Sequence, residues 1–559
     1  MLTSLYQTFS FSIVNSIRLV KSFFTIKNLL GRTVWIRTYF IVISILLMEI
    51  FNFSPLVILL MLPVYSILLL QNIKALDTFY MVAYNLSFVV FLYSLRLLFI
   101  FQTMASSLTY FQYPFLASFN FAPLLDSYLF LFPATLYKFF GLTYTVGIDG
   151  LSTMFLFLTN FLILICIYVS KDFVKFYFKW FIYLFILIQF FLIQFFSLLN
   201  FFFFYIAFEA LLIPMFFIIG VWGSRSRKTF AAYLFFLFTF FGSILMLFSM
   251  LILFTSFYNL NFSTLVFSNH SLSLNFKVIL FTFLFIGFAI KVPMLPFHLW
   301  LPEAHVEAPT LGSVILAGIL LKLGGYGILR FLIPLFPTQV FQFRNIIFLI
   351  CSVSVIYSAF IGICQLDLKK IVAYSSITHM NFSVAGFFAN DVLALQGAVY
   401  SMFSHGFISA ALFLLVGVLY ERYKTRLIAY YGGLLSVMPL FAFFLFFFSI
   451  ANVGLPPLSG FVSEIMILFG LAVGANKLIV LLLFLASIII TINFFWLFNR
   501  VCMGPLSLHL NKIKELSKTE LIALVVLAIY VTFTGIFPDS ILIYTQNFSE
   551  FIIILLKQF

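Results

Sequence analysis

The 559-residue chain is 64% hydrophobic and only 8% charged, against roughly 45–50% and 25% in soluble domains. A water-facing shell cannot be assembled from it, and the chain belongs in a bilayer. Its 30 Lys and Arg against 16 Asp and Glu leave a net charge of +14, which in a membrane chain reports topology before it reports nucleic acid. Four scattered cysteines (Cys166, Cys351, Cys364, Cys502), no P-loop and no G-x-G-x-x-G after a strand exclude a disulfide framework, a metal–sulfur site and the common nucleotide folds.

Crossing about 30 Å of hydrocarbon at 1.5 Å per residue takes roughly 20 apolar residues, and in such runs only a helix satisfies every backbone group. Residues 1–50 form a basic N-terminal extension: Arg18, Lys21, Lys27, Arg32 and Arg37 precede the first acid, Glu49, as in a transit peptide. A short run at 39–50, interrupted by Glu49, Asn52 and Pro55, is a candidate extra helix. Fourteen longer runs follow, at 54–71, 79–101, 151–169, 178–200, 201–222, 231–256, 276–300, 309–334, 345–364, 370–389, 393–420, 431–475, 478–499 and 520–537. Loops after odd-numbered spans carry sixteen Lys and Arg, and loops after even-numbered spans with the C-terminus carry five, so the parity supports the count. This divides the chain into 1–50, N-terminal helices and a loop at 51–145, a first repeat region at 146–340, a second at 341–505, and a last helix and tail at 506–559.

Two spans are broken inside. Ile290-Lys291-Val292-Pro293-Met294-Leu295-Pro296 puts two prolines in the seventh, and Gly454-Leu455-Pro456-Pro457-Leu458-Ser459-Gly460 interrupts the twelfth. Proline removes a donor and clashes with the preceding turn, freeing carbonyls that need partners. Breaks five spans apart, an odd offset that inverts the second copy, predict an all-α polytopic membrane protein. Its about fourteen transmembrane helices include an inverted repeat with discontinuous helices 7 and 12, an architecture that places ion sites at mid-membrane.

A charged side chain at the centre of a transmembrane helix costs about 2.5–3.5 kcal/mol on insertion scales, so each one retained is a candidate for function. These are Glu209 in the fifth span, Lys291 before the seventh-span break, Lys322 in the eighth, His405 in the eleventh and Glu464 after the twelfth-span break. Glu209 and Lys291 read either as a packing ion pair or as a switch. Burial penalises the charged form of each and an opposite charge restores it, so their separation decides whether Lys291 keeps its proton. Lys322 has no acid in its span and reads as a proton relay rather than a snorkelling lysine. His405 is as consistent with packing as with relay, and Glu464 beside freed carbonyls suits proton exit. His298, Glu303, His305 and Glu307 lack H-E-x-x-H order, so a loop admitting water is preferred to a metal site. His379 is ambiguous, and Asp149 reads as a helix N-cap.

Several longer stretches resemble the antiporter-like membrane subunits of respiratory complex I. They are Gly147-Ile148-Asp149-Gly150-Leu151-Ser152, Phe208-Glu209 through Pro214, Ala289-Ile290-Lys291-Val292-Pro293, Trp300-Leu301-Pro302-Glu303-Ala304-His305 and Glu307-Ala308-Pro309-Thr310. Ala317 to Gly327, Asp367 to Ser376 and Leu419-Tyr420-Glu421-Arg422 point to one subunit group within that family. The resemblance spans roughly residues 140–500; residues 1–50 match no pattern of the family.

The resemblance implies a fourteen-helix core with two inverted five-helix repeats, and a mitochondrial inner-membrane location with basic loops facing the matrix, a setting that the 85 phenylalanines, typical of an AT-rich coding genome, also hint at. It implies that Glu209 and Lys291 form a coupling pair, Lys322 the central relay and Glu464 the exit carboxylate of a proton-translocating subunit. NADH, FMN, iron–sulfur clusters and ubiquinone are then expected in other subunits, with no cofactor in this chain. Implied partners are the other membrane-arm subunits, especially the antiporter-like chains 2 and 5, and membrane lipids such as cardiolipin. Assignment to chain 2 or 5 themselves, a redox-independent cation/proton antiporter and a purely structural scaffold are the competing readings. Glu464, where paralogues often carry Lys, and a tail at 540–559 without a long lateral helix argue against the chain 2 and 5 assignments.

Overall fold

The prolines, caps and apolar runs of the sequence set where each helix starts and stops in the computed structural model, which describes residues 55–71, 73, 75–107, 117–120, 144–268, 272–474, 477–507 and 514–557. The candidate helix at 39–50 lies outside the described residues. Every one of the fourteen spans is a helix or a pair of half-helices. α1 (Pro55–Gln71) and α2 (Leu76–Ser107) come first. A two-stranded antiparallel pair, β1 (Ala117–Asn120) and β2 (Thr145–Ile148), leads into α3 (Gly150–Phe173). α4 (Phe178–Ser197), α5 (Phe201–Ala210), α6 (Leu212–Trp222) and α7 (Lys228–Phe257) follow. The seventh span is α8 (Leu274–Lys291) and α9 (Trp300–Glu307), and the eighth is α10 (Thr310–Leu335). Next are α11 (Pro337–Cys364), α12 (Leu368–Phe387) and α13 (Val392–Tyr423). The twelfth span is α14 (Pro439–Val453) and α15 (Ser459–Gly474), followed by α16 (Lys477–Cys502), α17 (Lys518–Ile536) and α18 (Asp539–Lys557). The chain is therefore a multi-pass, all-α membrane protein with discontinuous helices.

α10 and α13 are buried along their whole apolar stretches, whereas only a third of the α16 stretch is. The difference follows from composition: α13 carries small residues (Ala394, Gly397, Ala398, Ser401, Ser404, Gly406, Ser409) where its neighbours approach, and close van der Waals packing is what joins helices in lipid. Gly318 and Gly406 meet there. A Cβ on Gly406 would lie 3.1 Å from the Gly318 carbonyl oxygen, so α10 and α13 are nearly in backbone contact.

Caps fix several starts. Asp149 Oδ1 accepts from Ser152 N at 2.8 Å and Ser152 Oγ from Asp149 N at 2.8 Å, a reciprocal capping box at α3, as the N-cap reading expects. Asp149 is also ion-paired with Arg330 of α10, both almost fully buried. At α17, Ser517 and Glu520 form a second box, and Glu520 is gripped by Arg422 at 2.7 and 3.1 Å.

Two regions differ from expectation. The segment 300–307, expected as a water-admitting loop, is the helix α9. Pro302 falls in its first turn, where no intrahelical donor is needed. Eight residues are too few for a self-supporting helix; its end is held by Arg426 donating to the Val306 oxygen, Ser224 N to the Glu307 oxygen at 3.0 Å and Lys369 Nζ to the Ala308 oxygen at 2.8 Å. After the last expected helix, the C-terminal tail forms a further helix, the 19-residue α18, roughly 28 Å long. It buries Ile541, Tyr544, Thr545, Phe548, Ser549, Ile552, Ile553 and Leu556, a stripe at helical spacing, against α3 and α13.

Candidate proton-relay site

The fifth span bends where Pro214 cannot donate to the Ala210 carbonyl, so the helix is interrupted at Leu211 between α5 and α6. Glu209 sits at this bend. Its Oε1 accepts from Ser243 Oγ of α7 at 2.6 Å, a charge-assisted length. Lys291 is the last residue of α8 and is buried. Its Nζ lies 4.7 Å from the Phe208 ring centre and 5.7 Å from that of Phe235, a cation–π seat. Among the described residues no ion pair within 4.0 Å joins Lys291 to Glu209. The two expected partners are neighbours that are held separately, one by a hydroxyl and the other by aromatic faces.

Lys322 is fully buried in α10. The helix carries π turns at Leu316–Leu320 and Ile328–Leu332 on either side of it. In the first, Leu321 N donates back to the Leu316 oxygen, loosening the regular ladder, and the Ala317 oxygen accepts from Lys322 Nζ at 2.5 Å. Nζ also lies 2.9 Å from His405 Nδ1 of α13. An ammonium has only donors, so this contact puts the ring proton on Nε2. The Gly318–Gly406 approach brings the two helices close enough for that bond.

From His405 the constellation continues to a residue that sequence reasoning left ambiguous. The rings of His405 and His379 of α12 are 5.4 Å apart between centres, and His379 Nδ1 is 3.5 Å from Glu464 Oε1. Among the described residues, Nε2 of each histidine has no hydrogen-bond partner. Glu464 stands in α15 directly behind the twelfth-span break, where Gly454 caps α14 with φ +75°. A Cβ on Gly454 would lie 2.9 Å from Glu464 Oε2, so glycine is required both by the left-handed backbone and by room for the carboxylate. Both breaks include a cis X-Pro bond, Leu295–Pro296 and Pro456–Pro457.

The structure thus brings Lys322, His405, His379 and Glu464 into one line between the breaks, and keeps Glu209 and Lys291 as a neighbouring pair. His305, fully buried and stacked on Phe413 at 4.6 Å, and His298, edge-on to Tyr357 at 5.3 Å, have no hydrogen-bond partner on either ring nitrogen among the described residues. Glu303 pairs with Lys370 at 2.7 Å. Among the described residues no group of three or more His, Cys, Asp or Glu is arranged to hold a metal ion.

Residues 199–536 match the family profile described as NADH:quinone oxidoreductase/Mrp antiporter, TM. NADH-ubiquinone oxidoreductase chain 4 of Chondrus crispus is 45% identical over 413 residues, 73% of this chain and 82% of the relative. NADH-quinone oxidoreductase subunit M of Rickettsia prowazekii (strain Madrid E) is 39% identical over 406 residues, 72% of this chain and 82% of the relative. A chain in the structure of respiratory complex I from Thermus thermophilus with bound NADH superposes with a TM-score of 0.76 at 26% identity, covering 89% of this chain and 99% of that one. The broken helices and the buried line between them accordingly sit on a known scaffold: the chain belongs to the NADH:quinone oxidoreductase/Mrp antiporter membrane-subunit family, within its chain 4 and subunit M group.

Proposed function

We propose that this chain is a proton-translocating membrane-arm subunit of NADH:ubiquinone oxidoreductase in the mitochondrial inner membrane, with its basic loops on the matrix side. The observation that carries the reading is the succession of neighbouring side chains Lys322, His405, His379, Glu464, which ends beside the second of the two discontinuous helices. Redox chemistry resides in other subunits, which hold NADH, FMN, iron–sulfur clusters and ubiquinone. Neighbouring antiporter-like chains 2 and 5 and anionic lipids such as cardiolipin are the partners this assignment brings with it.

Each residue has a task its chemistry fits. When Glu209 moves away from Lys291, the ammonium loses its opposite charge and its proton is released toward Lys322. Lys322 hands a proton to His405 Nδ1 along the 2.9 Å contact. The unpartnered Nε2 atoms are the faces through which the two histidines exchange it by way of a water. His379 Nδ1 delivers it to Glu464, which releases it on the side with few basic loops. Return of Glu209 reloads the pair.

The test is the proton-to-electron ratio of the assembled complex in vesicles. Lys291→Ala and Glu209→Ala are each expected to abolish this chain's share of pumping with the other subunits still assembled; an unchanged ratio overturns the assignment. Gly454→Ala should act through geometry instead. The left-handed backbone costs about 1 kcal/mol with a Cβ, which leaves assembly intact, while the displaced Glu464 carboxylate slows proton delivery about tenfold or more. Proton uptake normalised to assembled complex on native gels measures both.

A further inference from the structure

α12 lies between the two broken spans, packing on α9 on one side and α15 on the other. His379 faces the helix behind the second break, since its Nδ1 lies 3.5 Å from Glu464 Oε1. Two residues on, Asn381 is fully buried and its Nδ2 donates to the Pro293 oxygen at 3.3 Å, within the first break, as well as to the Ile377 oxygen at 2.8 Å. At 100° per residue, positions i and i+2 point to nearly opposite faces of a helix. One turn of one helix therefore touches the first break and the carboxylate that stands directly behind the second. Pro293 is also only two residues beyond Lys291, and its carbonyl is among those freed by the loss of helix there.

We propose that Asn381 is a positioning residue for proton transfer: through the Pro293 carbonyl it sets the path of the chain beside Lys291, and α12 carries that setting to His379 and Glu464 so that the two breaks are adjusted together. The proposal rests on the relay reading above and adds to it a physical link between its two halves. Among the described residues the buried Asn381 Oδ1 atom has no donor, and the hold of the amide on the first break is through Nδ2. The charged and histidine groups on the elements packed against α12 are Glu303, His305 and Glu307 of α9, Lys322 and Arg330 of α10, Arg344 of α11, His405, Glu421 and Arg422 of α13 and Glu464 of α15, with Lys291 at the end of α8.

Asn381→Leu keeps the volume and removes the donor; Asn381→Asp keeps the shape and donates to Pro293 only when its carboxyl is protonated. Both are compared with Lys291→Ala in the assembled complex in vesicles, following pumping across pH. With Lys291→Ala inactive, Asn381→Leu is expected to pump about tenfold more slowly, the worth of one lost buried hydrogen bond. Asn381→Asp should approach wild type at low pH and fall away as pH rises and the carboxylate opposes the Pro293 carbonyl. A merely structural Asn381 would give Asn381→Asp a constant ratio to wild type at every pH, and that outcome, or wild-type pumping by both variants, overturns the proposal while leaving the relay standing. Should Asn381→Leu fail to assemble, the pH profile of the isosteric Asn381→Asp decides alone. Pumping retained by Lys291→Ala overturns the relay reading and this proposal with it.

Discussion

Replacing Lys322 by alanine is expected to lower proton translocation by this chain at least about a hundredfold, the lower end of what a positioned proton donor contributes, with assembly close to wild type. The two halves of that expectation have separate grounds. The ammonium is fully buried and touches the Ala317 oxygen and His405 Nδ1, so its removal relieves the desolvation of a charge and offsets part of the cavity left by the side chain. It also removes the group that donates to His405 Nδ1. Lys322→Arg sharpens the test, because a guanidinium keeps the charge and cannot release its proton. A relay predicts that arginine is as inactive as alanine; a scaffold predicts that arginine pumps. Proton uptake in vesicles, normalised to assembled complex, distinguishes them.

Asp149→Leu is expected to do the reverse, damaging the fold far from the relay. Asp149 and Arg330 are each about 1% exposed, and removing one partner of a buried ion pair costs about 3–5 kcal/mol. Loss of the α3 cap adds about 1 kcal/mol. The abundance of assembled complex and its thermal midpoint should both fall sharply. Asp149→Asn, which retains an acceptor for Ser152 N, should fall less. Asp149→Leu combined with Arg330→Met should recover much of the loss, since two apolar groups of similar volume leave no charge stranded. Unchanged stability of Asp149→Leu would mean that the pair contributes little.

The features legible in the sequence are those that stand out against an apolar background. Pro293, Pro296, Pro456 and Pro457 marked both breaks because proline acts locally through its own ring, and the fourteen apolar runs correspond to helices because length in a bilayer is set by thickness. Glu209, Lys291, Lys322, His405 and Glu464 were selected because buried charge is rare. What was not legible depends on distance. A lone histidine in a helix is ordinary, so His379 could be weighed only after its ring was seen between His405 and Glu464. The π turns around Lys322 leave no periodic signal, and the separation of Glu209 from Lys291 is a matter of packing against Ser243 and two phenylalanines. α9 was misread because Pro302 signals a loop unless it lies in a first turn. α18 was within reach: Ile541, Tyr544, Phe548, Ile552 and Ile553 recur at helical spacing, but shorter apolar content hid the period.

The π turn beneath Lys322 has one more consequence. Its ammonium is solvated by the carbonyl of its own helix and by a neutral imidazole, and among the described residues no carboxylate pairs with it. Gaining or losing a proton at this position therefore changes the net charge deep within the bilayer by a full unit, with no compensating counter-ion to dampen it. Occupancy of such a site is voltage-dependent: a charge displaced through the whole field shifts by about 2.3 kcal/mol per 100 mV, and one part-way across by the corresponding fraction. In the relay proposed above, Lys322 would then be a point where the transmembrane voltage acts back on proton loading, slowing the subunit as the membrane becomes charged.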